Sequence, residues 1–168
     1  MKTLILPGLS PHNRIWAEEA RSRLQLDQEV IIQEWQHWVL TQPGKAKDFS
    51  LAEEIGRLKK TVAADSFNVI AKSVGTVVFL ELLNEIDPAQ VGKVILCGLS
   101  SFTPRFSALR KLQPAQILCL QNSADPYGSF VRTARFLKDF VPEINIIEKP
   151  AATHDYPYYD EFQSFLTE

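Results

Sequence analysis

The chain has 168 residues, 45% of them hydrophobic and 23% charged, with a net charge of −2. That is enough chain for one domain with a real core, and too apolar and too nearly neutral for a disordered protein. Nucleic-acid binding needs a concentrated basic surface, whereas the basic clusters here, Lys45-Ala46-Lys47 and Arg57-Leu58-Lys59-Lys60, are short and read as solvated loop and helix surface.

The first apolar run, Thr3 to Leu6, is stopped by Pro7-Gly8. It is too short for the hydrophobic region of a signal peptide, and no stretch approaches the roughly 18 apolar residues of a membrane span. The expectation is a cytoplasmic protein with no membrane span. A helix follows from about Asn13 to Leu24, with Ile15, Trp16, Ala20 and Leu24 on one face. Val30 to Ile32 reads as a second strand. Residues 36–48 are polar, contain Pro43-Gly44, and read as a loop in which His37 is exposed. Ser50 and Glu53 have capping-box spacing, and Leu51, Ile55, Leu58 and Val62 mark the buried face of the helix they open.

The third strand is Phe67 to Ala71, followed by Lys72-Ser73-Val74-Gly75 and a helical run from Thr76 to Ile86. The fourth is Val91 to Cys97 and the fifth Gln116 to Leu120. A helix over about Ser129 to Phe140, a sixth strand from Ile144 to Ile147, a loop carrying His154 and a last helix with Phe162, Phe165 and Leu166 complete the chain. Strands alternating with helices predict an α/β fold: a doubly wound three-layer α/β/α sandwich around a parallel sheet of about six strands, in a single domain over residues 1–168. The two cysteines, Cys97 and Cys119, sit in apolar runs and read as buried free thiols. No metal-ligand spacing is present.

Chemistry concentrates at residues 67–83. The run passes from strand through a sharp turn to helix, with Ser73 at the turn and small residues, Ala71 and Gly75, two positions either side. A strained turn of this kind lifts a serine oxygen above the sheet edge and needs small neighbours at those positions. The plainer alternative is that Ser73 simply caps the helix. A P-loop needs Gly before the Lys and again five residues earlier, where Ala71 and Ser66 stand. A dinucleotide fingerprint is missing after the first strand, where Gly8 is alone. No cofactor is expected.

A serine hydroxyl becomes a good nucleophile only when a neighbouring base takes its proton. Three histidines exist, His12, His37 and His154, and only His154 follows Ser73. Asp125, in the loop after the fifth strand, is the candidate acid, although Asp125-Pro126 is also ordinary turn chemistry. Asp155 adjoins the base in sequence and is a poor orienting partner. Asp65 and Asp87 fall at the other end of the sheet.

The segments LPGLSPHNRIW (6–16), AKSVG (71–75), NSADPYGSF (122–130) and ATHDY (152–156) resemble, in this order, the α/β-hydrolase superfamily. More narrowly the chain looks like compact, lid-poor serine hydrolases of the retinoblastoma-binding-protein type, which share the Pro-Gly after a short first strand, the early Trp16 and Asp-Pro after the fifth strand. The usual elbow has Gly at the position of Ala71, and Asn122 stands where Gly is common; the Ala-x-Ser-x-Gly variant resembles that of lid-less bacterial lipases. The resemblance implies Ser73 as nucleophile, His154 as base, Asp125 as acid, and an oxyanion hole from the backbone N–H groups of Val74 and Leu9, with Ser10 the second choice for the latter. It implies hydrolysis of a small or exposed carboxylic ester, with thioester or amide cleavage drawing on the same residues. Ser10, His12, Trp16, Tyr127 and Tyr156 are candidate substrate contacts, with Trp38 and Phe102 as further aromatics for an acyl pocket. Lys72 is expected to point away from the nucleophile. A non-catalytic binding protein on the same fold remains the alternative.

Overall fold

A computed structural model describes residues 1–39, 48–100 and 105–168. Pro43-Gly44, Lys45-Ala46-Lys47 and Phe102 lie outside the described residues. In chain order the elements are β1 (Lys2–Leu6), α1 (Asn13–Arg23), β2 (Glu29–Ile32), a 3-10 turn (Gln36–Trp38), α2 (Leu51–Val62), β3 (Phe67–Lys72), α3 (Val74–Leu82), β4 (Val91–Cys97), a 3-10 turn (Phe106–Lys111), β5 (Ile117–Asn122), α4 (Phe130–Phe140), β6 (Asn145–Lys149) and α5 (Tyr159–Thr167).

The six strands form one sheet in the order β2-β1-β3-β4-β5-β6, and every neighbouring pair is parallel. The two-residue period of a strand divides the core in two. Leu4, Leu6, Val69, Ala71, Val94, Leu96, Ile117 and Cys119 face α2, α3 and α4. Ile5, Ile70, Ile95, Cys97, Leu118 and Leu120 face α1 and α5. Helices thus cover both faces, as a parallel sheet requires. Cys97 and Cys119 are buried and free, as expected, and face opposite sides of the sheet.

α2 shows how sequence makes an element. Ser50 caps it by accepting from the Glu53 N–H, and Ile55, Leu58 and Val62 enter the core. α3 is apolar nearly all round because it packs against the sheet on one side and other helices on the others, with Val78, Phe79, Leu80 and Leu82 buried. It ends at Leu82, short of the expected Ile86.

Two local expectations are corrected. Residues 36–38 form a turn instead of open loop, and His37 is 2% exposed instead of solvent-facing. The reason is a favourable niche: the ring stands edge-on to Phe49 and Trp38, and its Nε2 lies 2.9 Å from the Leu9 carbonyl. Among the described residues no helix is long and apolar enough to cross a membrane.

The strand order places a reversal between β1 and β3: the chain steps outward to β2, then returns past β1 to β3. Loops leaving the carboxyl ends of β1 and β3 therefore diverge and open a crevice, the place where such sheets bind ligands. The α2 face that supports this edge is tightly packed. Leu58→Ala, at a fully buried position, is expected to cost about 3 kcal/mol, read as a lowered urea midpoint with unchanged slope.

Candidate active site

Ser73 occupies φ 55°, ψ −120°, a backbone conformation L-residues rarely adopt. Such a conformation costs on the order of 1–3 kcal/mol and persists only where surroundings enforce it. Here both backbone groups are held. The Ser73 N–H donates to the Cys97 carbonyl at 3.0 Å, while its carbonyl accepts from the Thr76 N–H at 2.9 Å and the Thr76 hydroxyl at 2.6 Å. A Cβ on Gly75 would lie 2.1 Å from the Leu6 carbonyl oxygen, so the elbow closes on β1 only with glycine there. The Ser73 side chain makes no capping hydrogen bond. The helix-cap alternative is therefore not what this serine does.

The loops after β5 and β6, which carry Asp125 and His154, meet beside it. His154 Nδ1 lies 2.7 Å from Asp125 Oδ2. The Tyr156 hydroxyl donates to the same oxygen at 2.6 Å, and the Tyr127 N–H donates to Asp125 Oδ1 at 2.8 Å. Turn chemistry and ring orientation thus coexist, one carboxylate oxygen serving each. Burial of Asp125 opposes its charge, but the His154 ring, the Tyr156 hydroxyl and the Tyr127 amide outweigh it and hold the carboxyl below its usual range. Nδ1 beside a carboxylate is the protonated nitrogen of a neutral ring, which leaves Nε2 as the lone-pair bearer. Nε2 is buried and has no hydrogen-bond partner. Ser73 and His154 line one cavity but are not hydrogen-bonded to each other.

That cavity has a volume of about 420 Å³ and is bordered by Leu9, Ser10, Asn13, Ser73, Val74, Tyr127 and His154. Leu9, Ser10, Val74 and Tyr127 thus border the same cavity as Ser73 and His154. Val74 opens α3, so its N–H has no acceptor within the helix. Tyr127 packs its ring 4.6 Å from that of His154 and remains mostly exposed. His12 and Trp16 instead border a separate cavity of about 260 Å³ with Lys72 and Asp155. Trp16 donates its indole N–H to the Tyr156 carbonyl at 2.9 Å, which ties the base loop to α1. Trp38 is buried against the Leu9 carbonyl.

Tyr156, expected to touch substrate, is fully buried and does not border the Ser73 cavity. Its hydroxyl is spent on Asp125 and on accepting from the Asn122 N–H at 3.2 Å. Asn122, at the position where Gly is common, donates through Nδ2 to the carbonyls of Thr153 and Asp155 and accepts from the Tyr158 hydroxyl. It fastens the base loop to the end of β5. Gly98, at φ +62°, has no room for a side chain, since a Cβ would lie 2.8 Å from the His154 ring and 2.7 Å from that of Tyr156. Lys72 points to the α1 side, away from the Ser73 cavity. It is buried rather than on the surface, donating to Asn13 Oδ1 at 2.9 Å; burial pushes its pKa down, partly offset by Asp155. Asp155 itself is largely exposed, 3.9 Å from the Lys72 ammonium. Nothing in local sequence marks Tyr156 or Gly98 as neighbours of Asp125 and His154; the Asn122 departure from the family pattern was the one visible sign.

No protein-family model matches the chain, and no curated protein is similar to it in sequence. Solved structures do match. A protein of unknown function from Agrobacterium tumefaciens, assigned to the α/β hydrolases, superimposes with a TM-score of 0.73 at 15% identity, over 99% of this chain and 84% of that one. A carboxylesterase from the thaumarchaeon Nitrososphaera gargenis gives 0.71 at 14% identity, over 99% and 89%. A lid-less α/β serine hydrolase from Xanthomonas campestris gives 0.63 at 18% identity, over 99% and 78%. The six-stranded parallel sheet with helices on both faces is the α/β-hydrolase fold.

The contacts of Asp125 make a pH-dependent prediction. Its folded pKa is depressed, so the stability these contacts add is complete above the unfolded value, about 3.9, and is lost as pH falls through the lower folded value. Tyr156→Phe removes one donor to the charged carboxylate, which is expected to cost about 2 kcal/mol near neutrality. In urea titrations the gap between variant and wild type should narrow as the pH falls below about 4.

Proposed function

We propose that the protein is a serine hydrolase that cleaves a small or exposed carboxylic ester through an acyl-enzyme on Ser73. The observation that carries this is the Ser73 elbow: a strained, backbone-clamped serine whose side chain caps nothing, on a cavity it shares with a histidine oriented by a buried carboxylate. Backbone strain of this kind clusters at functional positions.

In this mechanism Ser73 Oγ attacks the ester carbonyl while His154 Nε2 takes the hydroxyl proton. That transfer needs Oγ within about 3 Å of Nε2, a contact that substrate-free sites commonly tighten only on binding. Asp125 holds the tautomer that leaves Nε2 free and stabilises the imidazolium that forms. The tetrahedral oxyanion accepts from the Val74 and Leu9 N–H groups, each worth on the order of 3 kcal/mol. The imidazolium protonates the departing alcohol, and water, activated by the same ring, releases the acid and restores Ser73. Triad chemistry of this kind needs no cofactor.

The likeness to a carboxylesterase and to a lid-less serine hydrolase supports ester cleavage at an uncovered site. Only 18 residues separate Gly98 from Ala115 inclusive, too few for a large cap. The narrower kinship with retinoblastoma-binding-protein-type hydrolases is part of the same proposal and rests on the Pro-Gly, Trp16, elbow and Asp-Pro features. Thioesters and amides would pass through the same intermediate.

Short p-nitrophenyl esters and a fluorophosphonate probe test the reading. Wild type is expected to turn over the esters and to be labelled at Ser73, and Ser73→Ala to lose both, with at least a 10³-fold fall in kcat. Full turnover in Ser73→Ala, or a folded wild type that neither hydrolyses nor labels, favours a binding protein on this fold.

A further inference from the structure

Three successive carbonyls in the loop after β1 each accept a hydrogen bond from a side chain. The Gly8 carbonyl accepts from the Trp35 indole N–H at 3.0 Å. The Leu9 carbonyl accepts from the Trp38 indole N–H at 2.8 Å and lies 2.9 Å from His37 Nε2. The Ser10 carbonyl accepts from Asn13, through Nδ2 at 3.1 Å and the backbone N–H at 2.9 Å. An indole N–H can only donate and a carbonyl can only accept, so the sense of these bonds is fixed, and His37 must carry its proton on Nε2.

The geometry reaches beyond the carbonyls. No peptide bond among the described residues is cis, and in a trans peptide the N–H points opposite to the carbonyl of the preceding residue. Holding the Gly8 carbonyl on Trp35 therefore turns the Leu9 N–H away from Trp35. Holding the Leu9 carbonyl on Trp38 and His37 fixes the next peptide in the same way. The three donors are buried, and they brace one another: Trp35 stands edge-on to Trp38 and Phe49, and His37 edge-on to Phe49. On the other side Asn13 is held by Lys72, the residue before the nucleophile. Loop and elbow are thereby joined through side chains.

We infer that Trp35, His37 and Trp38 are positioning residues for the oxyanion hole, aiming the Leu9 N–H by gripping the carbonyls on either side of that residue. The inference rests on the hydrolase reading and deepens it. The three residues touch no substrate. They act by removing the loop's freedom to turn its peptides, so the donor dipole needs no reorganisation when charge develops. His37, which the triad leaves without a task, and a tryptophan pair buried beside an active-site loop both acquire one.

The test uses Trp35→Phe, Trp38→Phe and the double variant in the full-length protein. Trp35→Phe removes the donor to the Gly8 carbonyl, whose peptide carries the Leu9 N–H, Trp38→Phe removes one donor to the Leu9 carbonyl, and each keeps an aromatic ring. A misplaced donor weakens stabilisation of the transition state more than ground-state binding, so kcat on a p-nitrophenyl ester should fall about tenfold in each single variant and about 100-fold in the double, with KM within twofold. Affinity for a trifluoromethyl ketone, whose adduct carries an oxyanion, should fall by the same factors, while affinity for the matching methyl ketone is retained. Val62→Ala, a core truncation on α2, serves as a stability control expected to lower the urea midpoint with kcat unchanged. Folded variants with wild-type kcat and wild-type trifluoromethyl ketone affinity would overturn the inference, as would equal losses for both ketones. If the double variant does not fold, the single variants decide. Failure of the hydrolase reading is recognised separately, as absence of turnover and of Ser73 labelling in wild type. The grip itself is then judged by backbone ¹⁵N relaxation at Leu9 and Ser10, whose order parameters are expected to fall in Trp35→Phe and in Trp38→Phe; unchanged order parameters overturn it.

Discussion

The close approach of α3 to the end of β1 governs the rest of the site. Gly75 lies so near the Leu6 carbonyl that no side chain fits between them. The turn preceding it must therefore be abrupt, and Ser73 takes the strained conformation that abruptness demands. The parallel sheet makes this productive. All strands end their carboxyl termini on one edge, and the reversal of order between β1 and β3 parts the loops that leave them. Ser73 and the loop proposed to supply an oxyanion donor are consequently neighbours because of topology, although more than 60 residues of chain separate them.

The surroundings of Asp125 are organised by a different force. Asp125 carries a charge in a place where water cannot reach it, which is tolerable only with its lone pairs occupied. His154, Tyr156 and the Tyr127 amide occupy them. Because two of the three donors come from the loop after β6, the buried charge also gathers that loop. Asn122 adds two donations to the same loop, and Trp16 one from α1. The orientation of the imidazole is thus settled by several contacts at once.

Much of the fold was legible because its signals are local. Strand cores such as Val94 to Cys97 are continuously apolar, as buried parallel strands are, and the strand that holds this one, Val91–Cys97, appears with the bounds expected. α2 announced itself through a cap and a four-three-four apolar spacing. The elbow was legible for the same reason, being a five-residue pattern between a strand and a helix. The chain order of the superfamily then pointed to Asp125 and His154. What sequence could not show were contacts made across the fold. Tyr156 was expected to meet substrate because it lies near His154 in sequence, yet alternation along the loop turns it inward to the carboxylate. His37 was expected in solvent because its neighbours are polar, but Phe49 and the Leu9 carbonyl, brought in by packing, form a niche for it. Lys72 was expected to point away from the nucleophile, which it does, but its burial against Asn13 and Trp16 depended on α1 crossing that face.

In the proposed mechanism one alcohol, one imidazole and two backbone amides act on a single carbonyl. A crystal structure of the protein after reaction with a fluorophosphonate tests this most directly. Phosphorus should be bonded to Ser73 Oγ, with one phosphonyl oxygen about 2.7–3.1 Å from both the Leu9 and Val74 nitrogens and His154 Nε2 turned to the esterified oxygen. A phosphonyl oxygen directed into solvent, with neither amide in reach, would contradict it.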